Sequence, residues 1–154
     1  MTRVYRILRK PYSTEPLDGE GAYRFGSRWS SPGVRLAFVA EHLSLAMLEY
    51  YVHLDPDHPP TDLVVVEADI PDSVSRLSIG LKQLPANWRQ SPAPAALAAI
   101  GDDFAIKERS AILTVPSVLA PAESNWIVNP RHPSFTKIRV HAAATFQYDL
   151  RFFQ

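Results

Sequence analysis

Residues 4–8, VYRIL, set β-branched, aromatic and aliphatic side chains around Arg6, the pattern of a short strand with an arginine among its polar positions. Residues 10–33 then break every periodicity with prolines and four glycines, which predicts a long loop of the kind that often carries function in a compact domain. VRLAFVA, residues 34–40, predicts a second strand. EHLSLAMLEYYVHL, residues 41–54, is the strongest helical pattern in the chain and is stopped by the DPDHPP cluster. DLVVVEADI, residues 62–70, has the apolar run of a central strand, and residues 85–91 are irregular. A helix follows at 95–107, weakened by Gly101. AILTVPS, SNWIVNP, KIRVHA and TFQYDL predict short strands separated by prolines. Strands outnumber helices without alternating regularly with them, so the pattern predicts an α+β domain and argues against a doubly wound parallel sheet.

Length and composition narrow this further. At 154 residues the chain fits one domain, 1–154, with a core large enough to need no metal or disulfide staple. Sixteen Lys and Arg balance sixteen Asp and Glu, so no global field recruits nucleic acid or acidic lipid, and any binding is local. The absence of cysteine removes disulfides, thiolate nucleophiles and cysteine-based zinc sites. No apolar run is long enough for a signal peptide or a membrane span, which predicts a soluble cytoplasmic protein. Fourteen prolines limit the length of regular elements.

Three places carry candidate chemistry. On the 41–54 helix, apolar residues occupy nearly the whole circumference at about 100° per residue, and Glu49 lies in a narrow polar strip with His42 and His53. A helix so apolar is expected to be buried, and its carboxylate then needs a partner, a ligand or a wet cleft. The other reading is a solvent-facing strip with an i,i+4 pair between Glu49 and His53. His42 and His53 are about three turns apart, too far to share one metal ion. Arg28, in GSRWSSPG, sits in a tight Gly/Ser/Pro frame. It is either a surface arginine stacked on Trp29 or a guanidinium fork held ready for phosphate or carboxylate. Ser124 and Asn125 stand between a proline-rich turn and an apolar strand, where they cap the turn or point into a pocket. No Gly-x-Ser-x-Gly elbow and no P-loop is present.

The order of these blocks, GSRWSSPG, then LSLAMLEYYVHL, then VPSVLAPAESNWIVNPRHP, resembles the RES-domain family, the toxins of bacterial toxin-antitoxin pairs. The resemblance extends from the opening VYRI to the closing FQYDLRFF and matches Arg28, Glu49 and Ser124 to the family's arginine, glutamate and serine. It implies a fold like that of ADP-ribosyltransferases, a single domain with a split, mostly antiparallel β core and a few helices. It also implies a reaction in which NAD, as substrate and without a metal, is cleaved at the nicotinamide-ribose bond. ADP-ribose would then pass to a target protein or be released by hydrolysis or phosphorolysis. Arg28 would hold the pyrophosphate, Glu49 would stabilise the ribosyl cation, and Ser124 would orient nicotinamide or Glu49. Arg6, Phe38 and Asn125 would complete the nucleotide site. Phe38 stands where many members have tyrosine, keeping a stacking face and losing a hydroxyl. The implied partner is an antitoxin with a helix-turn-helix region and a carboxy-terminal segment that plugs the site, with no direct contact to nucleic acid or membrane. The alternative is a non-catalytic nucleotide-binding or protein-interaction domain.

Overall fold

The computed structural model describes residues 1–154 and has a mixed α+β architecture. The strands are β1 (Thr2–Arg9), β2 (Ala37–Ala40), β3 (Leu63–Ile70), β4 (Arg76–Ser78), β5 (Ile112–Pro116), β6 (Ser124–Val128), β7 (Arg139–Val140) and β8 (Ala144–Thr145). The helices are α1 (Glu20–Phe25), α2 (Leu43–Tyr51) and α3 (Ala95–Lys107). All eight strands join one sheet in the order β4-β5-β6-β2-β1-β3-β7, with β8 also on β3. Every pairing is antiparallel except β4 with β5. No helix is long and apolar enough to cross a membrane.

Strand parity divides the core. Val4, Ala37, Val39, Ala68, Ile70, Ile112, Trp126 and Val128 point to one face and form one apolar cluster with Leu17, Val74 and Ile138. The opposite face is covered in two places. α3 lays Leu97 and Phe104 over Leu113, Val115 and Ile127, and α2 lays Leu45 and Ala46 over Ile7, Ala40 and Leu63. Between these two covered areas the sheet is held together weakly: β1 pairs with β3 along its whole length, Thr2↔Ile70 to Arg9↔Leu63, but meets β2 in register only at Tyr5↔Ala40. The sheet splits there.

Several elements differ from the expectation raised by the pattern. The 41–54 helix is shorter, Leu43–Tyr51, because His42 is in extended backbone before it and the chain leaves the helix at Val52. Burial on it is partial as well: Leu45 and Ala46 are buried, whereas Leu43, Leu48 and Val52 are exposed. The 10–33 loop contains α1, six residues framed by Gly19 and Gly26 in left-handed backbone, too short to show a period. β4 has three residues and gives no alternation to read. Residues 145–150 form no strand beyond Thr145. Phe146 and Tyr148 do alternate, but they pack with Tyr51 and Phe152 as an aromatic group against α2. The Tyr148 hydroxyl donates to the Met47 carbonyl, and burial pushes its pKa well above the usual phenol value.

α3 matches its predicted bounds, and Gly101 has a packing reason to be there. A Cβ built on it would lie 1.7 Å from the Trp29 carbonyl oxygen, so the 27–31 loop can rest on the helix only because position 101 has no side chain. Gly101→Ala removes a helix-propensity cost of about 1 kcal/mol, yet the displaced Trp29 carbonyl should make it net destabilising, by about 1–3 kcal/mol in urea unfolding.

On β3, buried Asp69 accepts from Arg3 Nε at 2.8 Å and Nη2 at 3.2 Å, and bonds His141 Nε2 at 2.7 Å. The Arg3 guanidinium, and next His141, hold its carboxyl well below the usual carboxylate range. Because the native pKa is depressed, the stabilisation is complete above the unfolded value of about 3.9 and fades as pH falls below it. Asp69→Asn should therefore lower the urea midpoint at pH 7, with the gap to wild type narrowing as unfolding is repeated from pH 4 downward.

Candidate functional site

The split between β1 and β2 opens into a cavity of about 990 Å³, at the upper end of the roughly 300–1,000 Å³ typical of ligand sites. Tyr5, Arg6 and Ile7 line it from β1, and Phe38, Val39 and Ala40 from β2. Consecutive residues of one strand point to opposite faces, so a cavity that reaches all three on both strands lies in the gap itself. Glu49 and His53 come from α2 and its end, Arg28 from the loop after α1, Arg89 from the loop before α3, and Asn125 from β6.

Glu49 is fixed by two neutral donors. Its Oε1 accepts from Ser117 Oγ at 2.7 Å and from Asn125 Nδ2 at 2.8 Å, while Oε2 has no protein partner. No cation neutralises it, and it makes no pair with His53, so the polar strip of α2 opens on the cavity at 49 and 53. His42, the third member of that strip, bonds Glu123 instead, at 2.6 Å. Glu41, His42 and Glu123 lie close enough to hold a cation, but Glu41 already accepts from the Ser124 amide at 2.9 Å and Glu123 from His42.

The stiffness around Arg28 has a visible cause. Gly26 closes α1 with φ +70, and a Cβ there would sit 2.9 Å from Pro32 Cδ and 3.1 Å from the Ser30 carbonyl. Ser27 and Ser30 then close a tight turn through backbone bonds and a 2.8 Å hydroxyl contact. Ser31 ties that turn to Asp102 of α3 through its amide, 2.8 Å, and its hydroxyl, 2.6 Å. Trp29 does not stack on the guanidinium. Its indole is buried with Leu36, Trp88 and Leu97, and the arginine-aromatic contacts of the chain are Arg35 on Tyr23 and Arg76 on Trp126. Arg28 Nη1 donates to the Trp88 and Gln90 carbonyls at 3.0 and 2.8 Å, leaving Nε and Nη2 without a protein acceptor.

Arg6 has the strand parity of Val4 and Leu8, so it starts on the opposite face from Tyr5 and Ile7. There the Pro16 carbonyl accepts from its Nη1, and through the gap it also lines the cavity. Burial pulls its pKa below the usual guanidinium value, and Asp18, beyond ion-pair contact, offsets this only in part.

Arg6, Arg28, Phe38, Glu49 and Asn125 are thus brought to one cavity, and Ser124 is not among its lining residues. On β6, Ser124 shares the parity of Trp126 and Val128 and faces the other side of the sheet from Asn125. The serine that touches Glu49 is Ser117, fully buried at the end of β5, whose Oγ also accepts the Leu119 and Ala120 amides at 3.1 and 3.2 Å. β6 is paired on both sides, with β2 and with β5, so unlike β1 and β2 it presents one parity to the cavity; that turns Ser124 away where Asn125 faces in, and leaves the serine of VPS as the other one nearby. Arg89, in a stretch with no periodicity, gave no such signal.

Comparison with known proteins identifies the family. The family model described as RES domain matches residues 3–151. "Toxin Res" of Yersinia enterocolitica is 38% identical over 132 residues, 86% of each chain. The "Prs ADP-ribosylating toxin" of a Sphingobium species is 34% identical over 154 residues, covering 97% of this chain and 96% of that protein. Among solved structures, a chain of the M. tuberculosis MbcT-MbcA toxin-antitoxin complex has the same fold. Its TM-score is 0.75 over 95% of this chain and 84% of that one, at 17% identity. The chain belongs to the RES-domain toxin family.

Proposed function

We propose that this protein cleaves NAD at the nicotinamide-ribose bond and passes ADP-ribose to an acceptor. The observation that carries the reading is Glu49: a carboxylate held at Oε1 by Ser117 and Asn125, free at Oε2, in a cavity whose other charged groups are arginines without acid partners. Breaking the C1′–N bond sends its electron pair to nicotinamide, which departs neutral and needs no general acid. Positive charge builds on the ribose in an oxocarbenium-like transition state, as in glycoside cleavage. A carboxylate oriented by neutral donors keeps its full charge for that cation, where an arginine-paired one would not.

Arg28, through Nε and Nη2, and Arg6, from the β1 side, hold the diphosphate, and Phe38 offers a ring face for stacking. Ser117 takes the positioning role that the resemblance assigned to Ser124. Transfer to a protein is the favoured fate of ADP-ribose, on the strength of the name of the Sphingobium relative, which aligns over nearly the whole chain. A cognate antitoxin is the proposed partner, as the relatives are toxins and one solved neighbour is in a toxin-antitoxin complex. Phe25, 83% exposed, Val52 and Leu119 give the cavity an apolar rim for it to cover.

Incubation with NAD, with and without cell extract, should release nicotinamide, and label from the adenylate half of NAD should appear on extract protein. Wild type that releases none under either condition rejects the reading. Glu49→Gln keeps the shape and loses the charge, and should slow release by about a hundredfold or more with the thermal midpoint unchanged. Ser117→Ala leaves Asn125 on Glu49 but also strips two amides of their acceptor. It should cost about 1–2 kcal/mol of stability and lower kcat more than it raises KM.

A further inference from the structure

Two of the three arginines in the cavity have a task in the reading above; the third does not. Of the chain's twelve arginines, seven lie within 4 Å of a carboxylate oxygen. Of the five that do not, Arg6, Arg28 and Arg89 converge on this one cavity. Arg89 is the best placed to move. Arg28 Nη1 grips the carbonyls on either side of it, Trp88 and Gln90, so its backbone is clamped while its side chain is free to swing. That side chain reaches another lining residue, Val118, to whose carbonyl Nη2 donates at 2.8 Å in an exposed bond.

The bond to Val118 is one the fold can spare. The turn after Ser117 is already closed by the Leu119 and Ala120 amides on Ser117 Oγ. A guanidinium has five donors, and this contact occupies one, on a neutral acceptor. A phosphate oxygen makes a charge-assisted bond roughly twice as strong and accepts the fork in a bidentate way.

We infer that Arg89 is a diphosphate-binding residue that exchanges the Val118 carbonyl for a phosphate oxygen when ligand enters, on a segment that Arg28 holds in place. The inference rests on the proposed dinucleotide ligand. It makes Arg28 a double agent, binding anion with Nε and Nη2 and presenting Arg89 with Nη1.

The test is calorimetric titration of the whole protein with ADP-ribose, which carries the diphosphate and undergoes no nicotinamide release, and with adenosine, which lacks it. Arg89→Ala should weaken ADP-ribose binding by about tenfold, Arg89→Lys should recover part of the loss, and adenosine binding should not change. The gap between wild type and Arg89→Ala should also narrow as salt is raised. A purely structural tie predicts something else: equal loss for both ligands, or no recovery with lysine. Either of these, or ADP-ribose bound as tightly by Arg89→Ala as by wild type, overturns the assignment. Where Arg89→Ala lowers the thermal midpoint, Arg89→Gln compared with Arg89→Lys gives the same reading on a matched side-chain length. Wild type that binds ADP-ribose but releases no nicotinamide from NAD rejects the reaction and leaves Arg89 standing. Wild type that binds no ADP-ribose overturns both.

Discussion

β1 and β2 meet in register at one residue pair, Tyr5 with Ala40, and part on either side of it. A continuous ladder at this point would have sealed the sheet and left Arg6 on the face opposite α2 and Glu49. With the ladder opened, an arginine from one face and a glutamate on a helix over the other reach one cavity. The split is affordable because each strand is anchored on its outer side, β1 by eight register pairs with β3 and β2 by four with β6. The weak seam thus lies between two strongly paired blocks, and the site is built where backbone hydrogen bonding has been given up.

Charge follows the same division. The chain is neutral overall, but the cavity gathers Arg6, Arg28 and Arg89 against the single carboxylate of Glu49. A guanidinium stays protonated even where burial lowers its pKa, as it does at Arg6, so these charges are present at neutral pH without acid partners. Backbone carbonyls of Pro16, Trp88, Gln90 and Val118 accept from them, which satisfies hydrogen bonds without forming a contact ion pair. Glu49 has the complementary arrangement, neutral donors and no cation. Structural ion pairs elsewhere, such as Arg9 with Asp62 or Arg3 with Asp69, show that the sequence can supply partners where only stability is needed. Keeping the opposite charges of the cavity apart is a cost to the unliganded fold and an advantage to a site that must meet an anion and a developing cation.

Much of this was legible because it is local. The apolar run of β3, the short apolar stretches of β5 and β6 between prolines and the bounds of α3 are local signals, and the Gly/Ser/Pro frame marks Arg28 as a constrained side chain. What could not be read depends on distant contacts. The role of Gly101 appears only when Trp29 is laid across α3, and Ser117 becomes a partner of Glu49 only after 68 residues of chain bring β5 beside α2. α1, β4 and the loop of Arg89 are too short or too irregular to carry a period. Ser124 is a different case: β6 is paired on both sides, so strand parity turns Ser124 away from Asn125 and the cavity.

The helix that carries Glu49 illustrates how far such dependence runs. α2 has nine residues, fewer than the roughly 12–15 at which an isolated helix becomes even marginal in water. Three of its flanking or internal apolar residues, Leu43, Leu48 and Val52, are exposed, so its own amphipathic burial does not account for its stability. The last residues of the chain supply the remainder. Tyr148 packs into the cluster under α2 and donates to the Met47 carbonyl, two residues before Glu49, and Tyr51 donates to the Phe152 carbonyl at 2.6 Å, two residues after it. Hydrogen bonds from two tyrosines therefore bracket the carboxylate along the helix, with edge-on aromatic contacts among Tyr51, Tyr148 and Phe152 locking the three rings together. The position of Glu49 is set from one side by Ser117 and Asn125 and from the other by a tail some hundred residues downstream, which is why a residue that looks isolated on its own helix is fixed on both sides in the fold.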